Sequence, residues 1–458
     1  MILSELLKVI NIESNSQKII KGICEDSRIV KEDELFLAFD LKYLNDAKNK
    51  HAITLSESPY SDYTCEDLKV ARMKLLKHFY NHDYQHIKII GVCGSNGKSS
   101  VSKMLYAILK KQYRCMLIGT HHIEFHGENI ITSHTTPPLC QLTKLVNEAI
   151  ELHYDYIIME VSSHAIDQDR IHFLKFDYLL YTNILQDHLD YHKTRLHYRF
   201  TKYKLRYYLK PNGFIILNEE EAFVSEFKKI CNQNIYSIQN KDLQIIESNL
   251  EKNVFRYLND CYELKLLGDY QIKNMLLVIQ TCLFLNINTN IIKNQLLQEP
   301  LIKGRLQCIY HQDYQVFVDY AHTQDALKQV LLFLNKHKKH KLYVIIGCGG
   351  NRDRSKRKIM GELACRYSDL AIFTSDNPRN ESIDQIIDDM CQMPLKNYKI
   401  IKNRHLAIKY SIQLATKDDI IIVVGKGDEI TQEIKGNQFF FHDESSVKYF
   451  IKMKEDLK

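Results

Sequence analysis

Short β-branched runs alternate with stretches of helical period along most of this chain. Ile87 to Val92 is almost continuously apolar, the pattern of a strand buried on both faces of a parallel sheet. A glycine-bearing loop follows at once, then a helix-like stretch from Ser99 to Lys111. Tyr154 to Val161, Asp177 to Ile184 and Gly213 to Leu217 repeat the strand signal with helical segments between them, as in βαβ units. Asp269 to Leu297 reads as helical. After Pro300 a second series begins: Val316 to Tyr320, Lys341 to Gly347, Asp369 to Ser375 and Asp419 to Gly425 are strand-like. Polar residues stand just beyond each of these runs, where open α/β sheets hold their ligands. Ahead of residue 84 the pattern is mixed, with an extended stretch Glu34 to Phe39 and a helical one from Glu66 to Tyr80.

Composition narrows the class. With 458 residues, 45% hydrophobic and 26% charged, the chain is too long for one core and too apolar to be disordered. Its apolar runs are far shorter than a bilayer span, and its first residues lack an export signal, so a soluble cytoplasmic protein without a membrane partner is expected. A net charge of +6 suits anionic substrates. The tyrosine-rich segment Tyr191 to Tyr208 has no separate basic stripe beside it and reads as packing, so no nucleic-acid partner is expected. Twelve cysteines are scattered without a CxxC pair, which points to reduced, mostly buried thiols rather than zinc ligands. His121, His122, His126 and His134 likewise lack metal-site spacing and read as a surface loop.

The strongest local signal is Gly91-Val-Cys-Gly94-Ser95-Asn96-Gly97-Lys98-Ser99, a GxxxxGK[ST] loop between a strand and a helix. Its glycines let backbone N–H groups converge on phosphate oxygens at a helix N-terminus, Lys98 reaches the β/γ-phosphates, and the Ser99 hydroxyl can ligate Mg²⁺. ATP or GTP use follows, which leaves motors, kinases and ligases open. The expected architecture is therefore α/β with three domains. A small N-terminal α/β domain covers 1–84, a central P-loop ATPase-like parallel sheet 85–299, and a C-terminal Rossmann-like domain 300–458. Glu160 ends one strand and Asn183 the next, which is followed by Asp187, His188 and His192; an acid and a histidine at adjacent strand ends are candidate metal ligands beside a triphosphate.

Eight ordered blocks, GSNGKSS, TTPP, MEVSSHAIDQDR, TNILQDHLDYH, DYAHTQDAL, GCGGNRDRSKR, TSDNPRNE and GKGDE, resemble the Mur ligases, and within them the enzymes that add the third residue to a UDP-N-acetylmuramoyl-dipeptide. The resemblance runs from Asp26 to Glu429. It implies an ATP- and Mg²⁺-dependent amide ligase, working as a monomer on small molecules, in which the peptide carboxylate is phosphorylated and the acyl phosphate is attacked by an amine. By position it makes Gly94, Ser95, Asn96, Gly97, Lys98, Ser99, Ser100, Asn274, Arg305 and Asp319 the ATP site. It makes Ser99, Glu160 and His188 metal ligands, together with Lys202 as its CO₂ carbamate, since a carbamate turns a cation into an anion able to hold Mg²⁺. Lys98, Lys202 and His188 then form the catalytic set. The spacing from Arg170 favours Lys202 over neighbouring Lys204. Ser27, Thr135, Thr136, Ser162, Gln168 and Arg170 fall on the UDP-sugar-peptide side. Arg352, Asp376, Asn377, Pro378, Arg379, Gly425 and Glu429 fall on the amino-acid side, and DNPR is the form associated with meso-diaminopimelate. A lysine-adding ligase, a folylpolyglutamate synthetase-like ligase and a P-loop regulatory ATPase are the alternatives. The chain departs from the family pattern in using Ser99 and Ser100 for threonines, Gln324 for proline, Asp428 for histidine, and a shorter segment between Asp26 and Gly91.

Overall fold

The computed structural model describes residues 1–456 apart from 81, 82, 85, 121, 133, 299–301, 393 and 395. His121 and the expected boundary positions 85 and 299–300 lie outside the described residues. Three sheets organise the chain. In the largest, six parallel strands run in the order Ile235–Ile238, Leu209–Asn218, Phe176–Tyr181, Lys88–Cys93, Tyr156–Val161, Cys115–Gly119, followed by an antiparallel meander, His122–Phe125 and Glu128–Ile131. Successive residues of a strand point to opposite faces. Thus Ile89 joins one core with Met116, Ile157 and Leu179, while Ile90 joins the other with Val101, Leu105 and Leu277. Burial on both faces is why these runs read as uninterrupted apolar segments.

The C-terminal sheet has the order Gln307–His311, Gln315–Asp319, Ile420–Val424, Leu342–Ile346, Leu370–Phe373, Tyr398–Ile400, parallel except for the first pair. Again two cores flank it, one built on Leu327, Leu331 and Met360, the other on Ile408, Val447 and Ile451. The N-terminal sheet has four short parallel strands, and its core is completed by Leu139 and Cys140 from the helix Leu139–Glu151 that follows the TTPP segment. Glu34 and Lys144 tie the same two parts together at 2.6 Å, and the Glu25 carboxylate accepts from the Cys140 N–H at 3.0 Å. The short N-terminal sheet therefore borrows an apolar wall from the central region.

Several expectations need correction. Asp269 to Leu297 is two helices, Asp269–Phe284 and Thr289–Leu297, broken where Asn286 takes φ 56° and the Asn288 side chain caps the second helix. Asn tolerates that left-handed conformation, so the apolar period runs on across a real break. His122 lies on a strand of the meander rather than in a surface loop, half-buried and 3.5 Å from Glu124. Three antiparallel strands, Leu243–Ser248, Asn253–Tyr257 and Asp260–Leu264, carry a weak turn signal, because Leu258 (φ 53°) takes the first position of the two-residue turn and only Asn259 marks it. All twelve thiols are free and only Cys261 and Cys308 are exposed. Among the described residues no helix is long and apolar enough to cross a membrane.

Candidate active site

The register of the central sheet brings the chemistry together. Val92 pairs with Glu160 and Cys93 with Tyr181, so the loop after the first strand, the acid ending the second and the segment after the third all emerge at one edge. Gly97 (φ 87°) begins the helix Lys98–Leu109 with no side-chain cap, so the first helical N–H groups point out of the loop as an anion-binding N-terminus. A Cβ on Gly97 would come within 2.5 Å of Asn274 Oδ1, which sets Asn274 against the loop. Asn183 braces the loop, its carbonyl accepting from Ser95 N at 3.0 Å and its side-chain oxygen from Asn96 N at 3.0 Å.

A cleft of about 570 Å³ opens over this loop. It is lined by Ser95 to Ser100, Glu160, Asp187 and His188, by Asn274 packed against the loop, and by Arg305, Asp319 to His322 and Gln329 from the C-terminal part of the chain. Nine of the ten residues expected at the ATP site line it. Gly94 does not: its Cα packs where a Cβ would meet Thr182 Oγ1 at 1.8 Å, and its carbonyl accepts from two lysines. Asn96 and Thr323 hydrogen-bond across the cleft at 3.3 Å, and Arg305 stacks on the Tyr320 ring at 4.2 Å. Burial pushes the Asp319 carboxyl up to about 6, although Arg305 and the Leu306 and Ala321 N–H groups, each at 2.6 Å, favour its charged form.

Glu160 is 1% exposed, and its two oxygens accept from the Thr120 N–H at 3.1 Å and the Thr120 hydroxyl at 3.0 Å. Gly119 leaves room for it, since a Cβ there would lie 2.8 Å from Glu160 Oε1. His188 sits at φ 52° with its ring edge-on to His164, and burial lowers its pKa to about 3, so the imidazole is neutral and keeps a lone pair. The buried Glu160 carboxylate and the Ser99 hydroxyl are hard oxygen donors that suit Mg²⁺, whereas the neutral imidazole is a softer donor. His192 does not line this cleft; its Nε2 meets the Ser163 hydroxyl at 3.0 Å. Lys202, on the helix Arg195–Lys204, is 1% exposed beneath the loop, donating to Gly94 O at 2.9 Å with its ammonium 4.8 Å from the Tyr198 ring centroid. Lys98 donates to the same carbonyl at 2.8 Å, and burial, with the Lys202 charge next, lowers its pKa to about 8.

Beside the cleft, the Thr136 hydroxyl donates to Glu160 O at 2.9 Å and accepts from the Ser162 N–H at 3.0 Å. Arg170 donates to Thr136 O at 2.9 Å and to Gln168 Oε1, and the Thr135 hydroxyl meets that of Thr120 at 3.1 Å. Five of the six residues expected on the sugar-peptide side thus form one polar network contiguous with Glu160. The sixth, Ser27, is buried in the N-terminal sheet's turn, where Lys50 holds its carbonyl at 2.7 Å.

On the C-terminal sheet, the turn Asp376–Arg379 and the loop from Gly425 close on each other. A Cβ on Gly425 (φ 115°) would touch Asp376 Oδ2 at 2.7 Å. Asn377 donates to Glu429 at 2.9 Å, and Lys426 bridges both. Gly350 allows Pro378 to lie flat against it, where a Cβ would meet Pro378 O at 1.9 Å, and Arg379 caps the Gly350 carbonyl at 2.8 Å. Arg352 is exposed; burial first, and then the charges of Arg170 and Arg352, lower the pKa of His164.

Comparison with known proteins decides the family. Residues 92–282 match the family model described as Mur ligase middle domain, and 304–427 match Mur ligase, glutamate ligase domain. A UDP-N-acetylmuramoyl-L-alanyl-D-glutamate--2,6-diaminopimelate ligase of Clostridium botulinum is 34% identical over 95% of this chain and 96% of its own length. The chain belongs to the Mur ligase family. A solved structure of a ligase of that same name superposes with a TM-score of 0.62 at 27% identity, covering 99% of this chain and all of the other. A folylpolyglutamate synthase from Mycobacterium tuberculosis, at 15% identity and TM-score 0.61 over 74% of this chain and 88% of its own, shares the fold alone. Two features of this Mur ligase had no signal in the motifs. Thr120 holds Glu160 from a strand end that carries no pattern of its own, and Glu433 pairs with Arg379 at 3.1 Å from a hairpin the sequence did not announce. Asp428, in place of the usual histidine, lies 4.0 Å from Lys103 on the nucleotide-loop helix, an ion pair that bridges the two sheets' domains.

Proposed function

We propose that this Mur ligase joins meso-2,6-diaminopimelate to UDP-N-acetylmuramoyl-L-alanyl-D-glutamate in the cytoplasm, consuming ATP in peptidoglycan precursor synthesis. The observation that carries the choice of amino acid is the Asp376–Arg379 turn, which holds a half-buried guanidinium at the edge of the C-terminal sheet. Lysine has no distal carboxylate to offer it and forgoes that contact. The C-terminal sheet accordingly selects the amine, and the central sheet activates the acid.

The reaction has two steps. A carboxylate oxygen of the dipeptide bonds to the γ-phosphorus of ATP and ADP leaves; the amine nitrogen then bonds to the acyl carbon and phosphate leaves. Both reactants of the first step are anions, so the chain must screen charge without hydrolysing ATP. Lys98 and the uncapped helix N-terminus supply fixed positive potential at the phosphates. Asn274 beside the loop, and Arg305 and Asp319 across the cleft, hold the rest of the nucleotide. Thr135, Thr136, Ser162, Gln168 and Arg170 orient the sugar-peptide alongside, with Ser27 on the N-terminal side. Arg352, Asp376, Asn377, Arg379, Gly425 and Glu429 orient the amino acid. Magnesium would be held by Ser99, Glu160, His188 and a carbamylated Lys202, and would neutralise charge on the transferring group. What supports the carbamate is the shared carbonyl: two buried ammonium groups converge on Gly94 O, and converting one to an anion replaces their repulsion with attraction.

Mass spectrometry of the product tests the assignment. Incubation with ATP, the UDP-dipeptide and a panel of amino acids should give a tripeptide carrying diaminopimelate, and preferential incorporation of lysine would overturn it.

A further inference from the structure

The guanidinium expected to read diaminopimelate is already half of an ion pair. Arg379 donates through Nε to Glu433 at 3.1 Å, and through Nη1 to the Gly350 carbonyl at 2.8 Å. The main chain fixes the same pairing: Arg379 N–H donates to Glu433 O at 3.0 Å, and the Arg379 carbonyl accepts from Lys435 N at 2.8 Å. Glu433 N–H donates in turn to Asn377 Oδ1 at 3.0 Å, which binds the hairpin Thr431–Ile434/Asn437–Phe440 to the DNPR turn. Arg379 is held at φ 51°, a conformation uncommon for a non-glycine residue and sustained here by these contacts.

Both side chains remain accessible, Arg379 at 21% and Glu433 at 32% exposure. An arginine fork carries five donors, so two engaged N–H groups leave capacity for a second carboxylate. The other acid of the cluster is more committed, since Glu429 Oε2 accepts from both Lys426 and Asn377 at 2.9 Å. The distal end of diaminopimelate carries a carboxylate and an ammonium on one carbon, a small zwitterion. Arg379 and Glu433 present the complementary pair of charges side by side.

Resting on the reading that diaminopimelate is the amino acid used, we infer that Glu433 is a specificity-determining residue whose carboxylate receives the distal ammonium while Arg379 takes the distal carboxylate. Selection then requires both distal groups. Lysine satisfies Glu433 but leaves Arg379 without its second carboxylate, and 2-aminopimelate satisfies Arg379 but leaves Glu433 without its second cation.

The test uses the full-length enzyme and its Glu433→Gln variant, with KM and kcat measured for meso-diaminopimelate, 2-aminopimelate and lysine. For the wild type, KM for 2-aminopimelate should exceed that for diaminopimelate by about tenfold, as for a partly exposed charge pair. In Glu433→Gln that ratio should fall to about two or less, with kcat for diaminopimelate and KM for ATP little changed. A ratio unchanged by the substitution, or both KM values rising by one common factor, would reduce Glu433 to a brace for Arg379 and overturn the inference. A wild-type ratio near one overturns it without any variant, should Glu433→Gln fail to fold. A wild-type enzyme that makes no product with diaminopimelate instead sinks the proposed function itself.

Discussion

Lys202→Ala separates the proposed carbamate from a structural lysine. The side chain is 1% exposed and donates to Gly94 O at 2.9 Å, so its removal has two opposing effects on stability. Deleting its buried methylenes costs about 2–3 kcal/mol at ~0.8 kcal/mol each. Removing a buried ammonium beside Lys98 recovers desolvation and repulsion of a few kcal/mol. The net change should stay within about 2 kcal/mol, a melting shift of roughly 8 °C or less for a domain of this size. Catalysis should respond far more strongly: loss of one transition-state stabiliser lowers kcat on the order of 10²–10³-fold. Coupled phosphate release at saturating substrates gives kcat, and circular dichroism melting checks the fold. Short carboxylic acids added to Lys202→Ala should restore part of kcat by lending back the missing anion. Wild-type turnover in Lys202→Ala would remove the residue from the mechanism. An active Lys202→Arg would show that a cation is what the site requires, and would refute the carbamate.

Three other outcomes follow from the same geometry. Arg379→Ala should lower kcat/KM for diaminopimelate by about 10–100-fold while changing use of lysine little, measured by product formation with each amino acid. Asp319 has a folded pKa of about 6 against an ordinary 3.8, so its contribution to stability is present below about pH 4 and is lost as pH rises through 6; the wild type should lose stability relative to Asp319→Asn across that window, by up to about 3 kcal/mol, read from paired denaturant titrations. Arg404 and Asp443 form a fully buried pair at 2.7 Å, and Arg404→Ala, which strands the acid, should cost about 3–5 kcal/mol in denaturant melts, whereas replacing both partners with apolar residues should cost much less.

The nucleotide loop was legible because its chemistry is local: strand, glycines, lysine and helix lie within Gly91 to Leu109. The parallel strands were legible because burial on both faces leaves them apolar throughout. Glu160 at a strand end and His188 in the segment after the next strand could be singled out, but only the registers of Val92 with Glu160 and of Cys93 with Tyr181 bring them to one edge. What escaped was non-local or conformational. Leu258 takes the left-handed position of a hairpin turn marked only by Asn259, and Asn286 breaks a helix without disturbing its apolar period. Glu433 and Asp428 acquire meaning only when a hairpin meets a distant turn and when one domain meets another. The wall of the N-terminal sheet comes from Leu139 and Cys140, far along the chain, which periodicity cannot reveal.

In the proposed reaction the cleft couples ATP cleavage to amide formation, so nucleotide turnover must wait for both partners. Phosphate release by the intact enzyme, measured with each substrate omitted in turn, tests this most directly. Sustained release should occur only when ATP, the UDP-linked dipeptide and diaminopimelate are all present. Steady release from ATP alone, indifferent to the other two, would contradict the account and mark the chain as a P-loop ATPase of another kind.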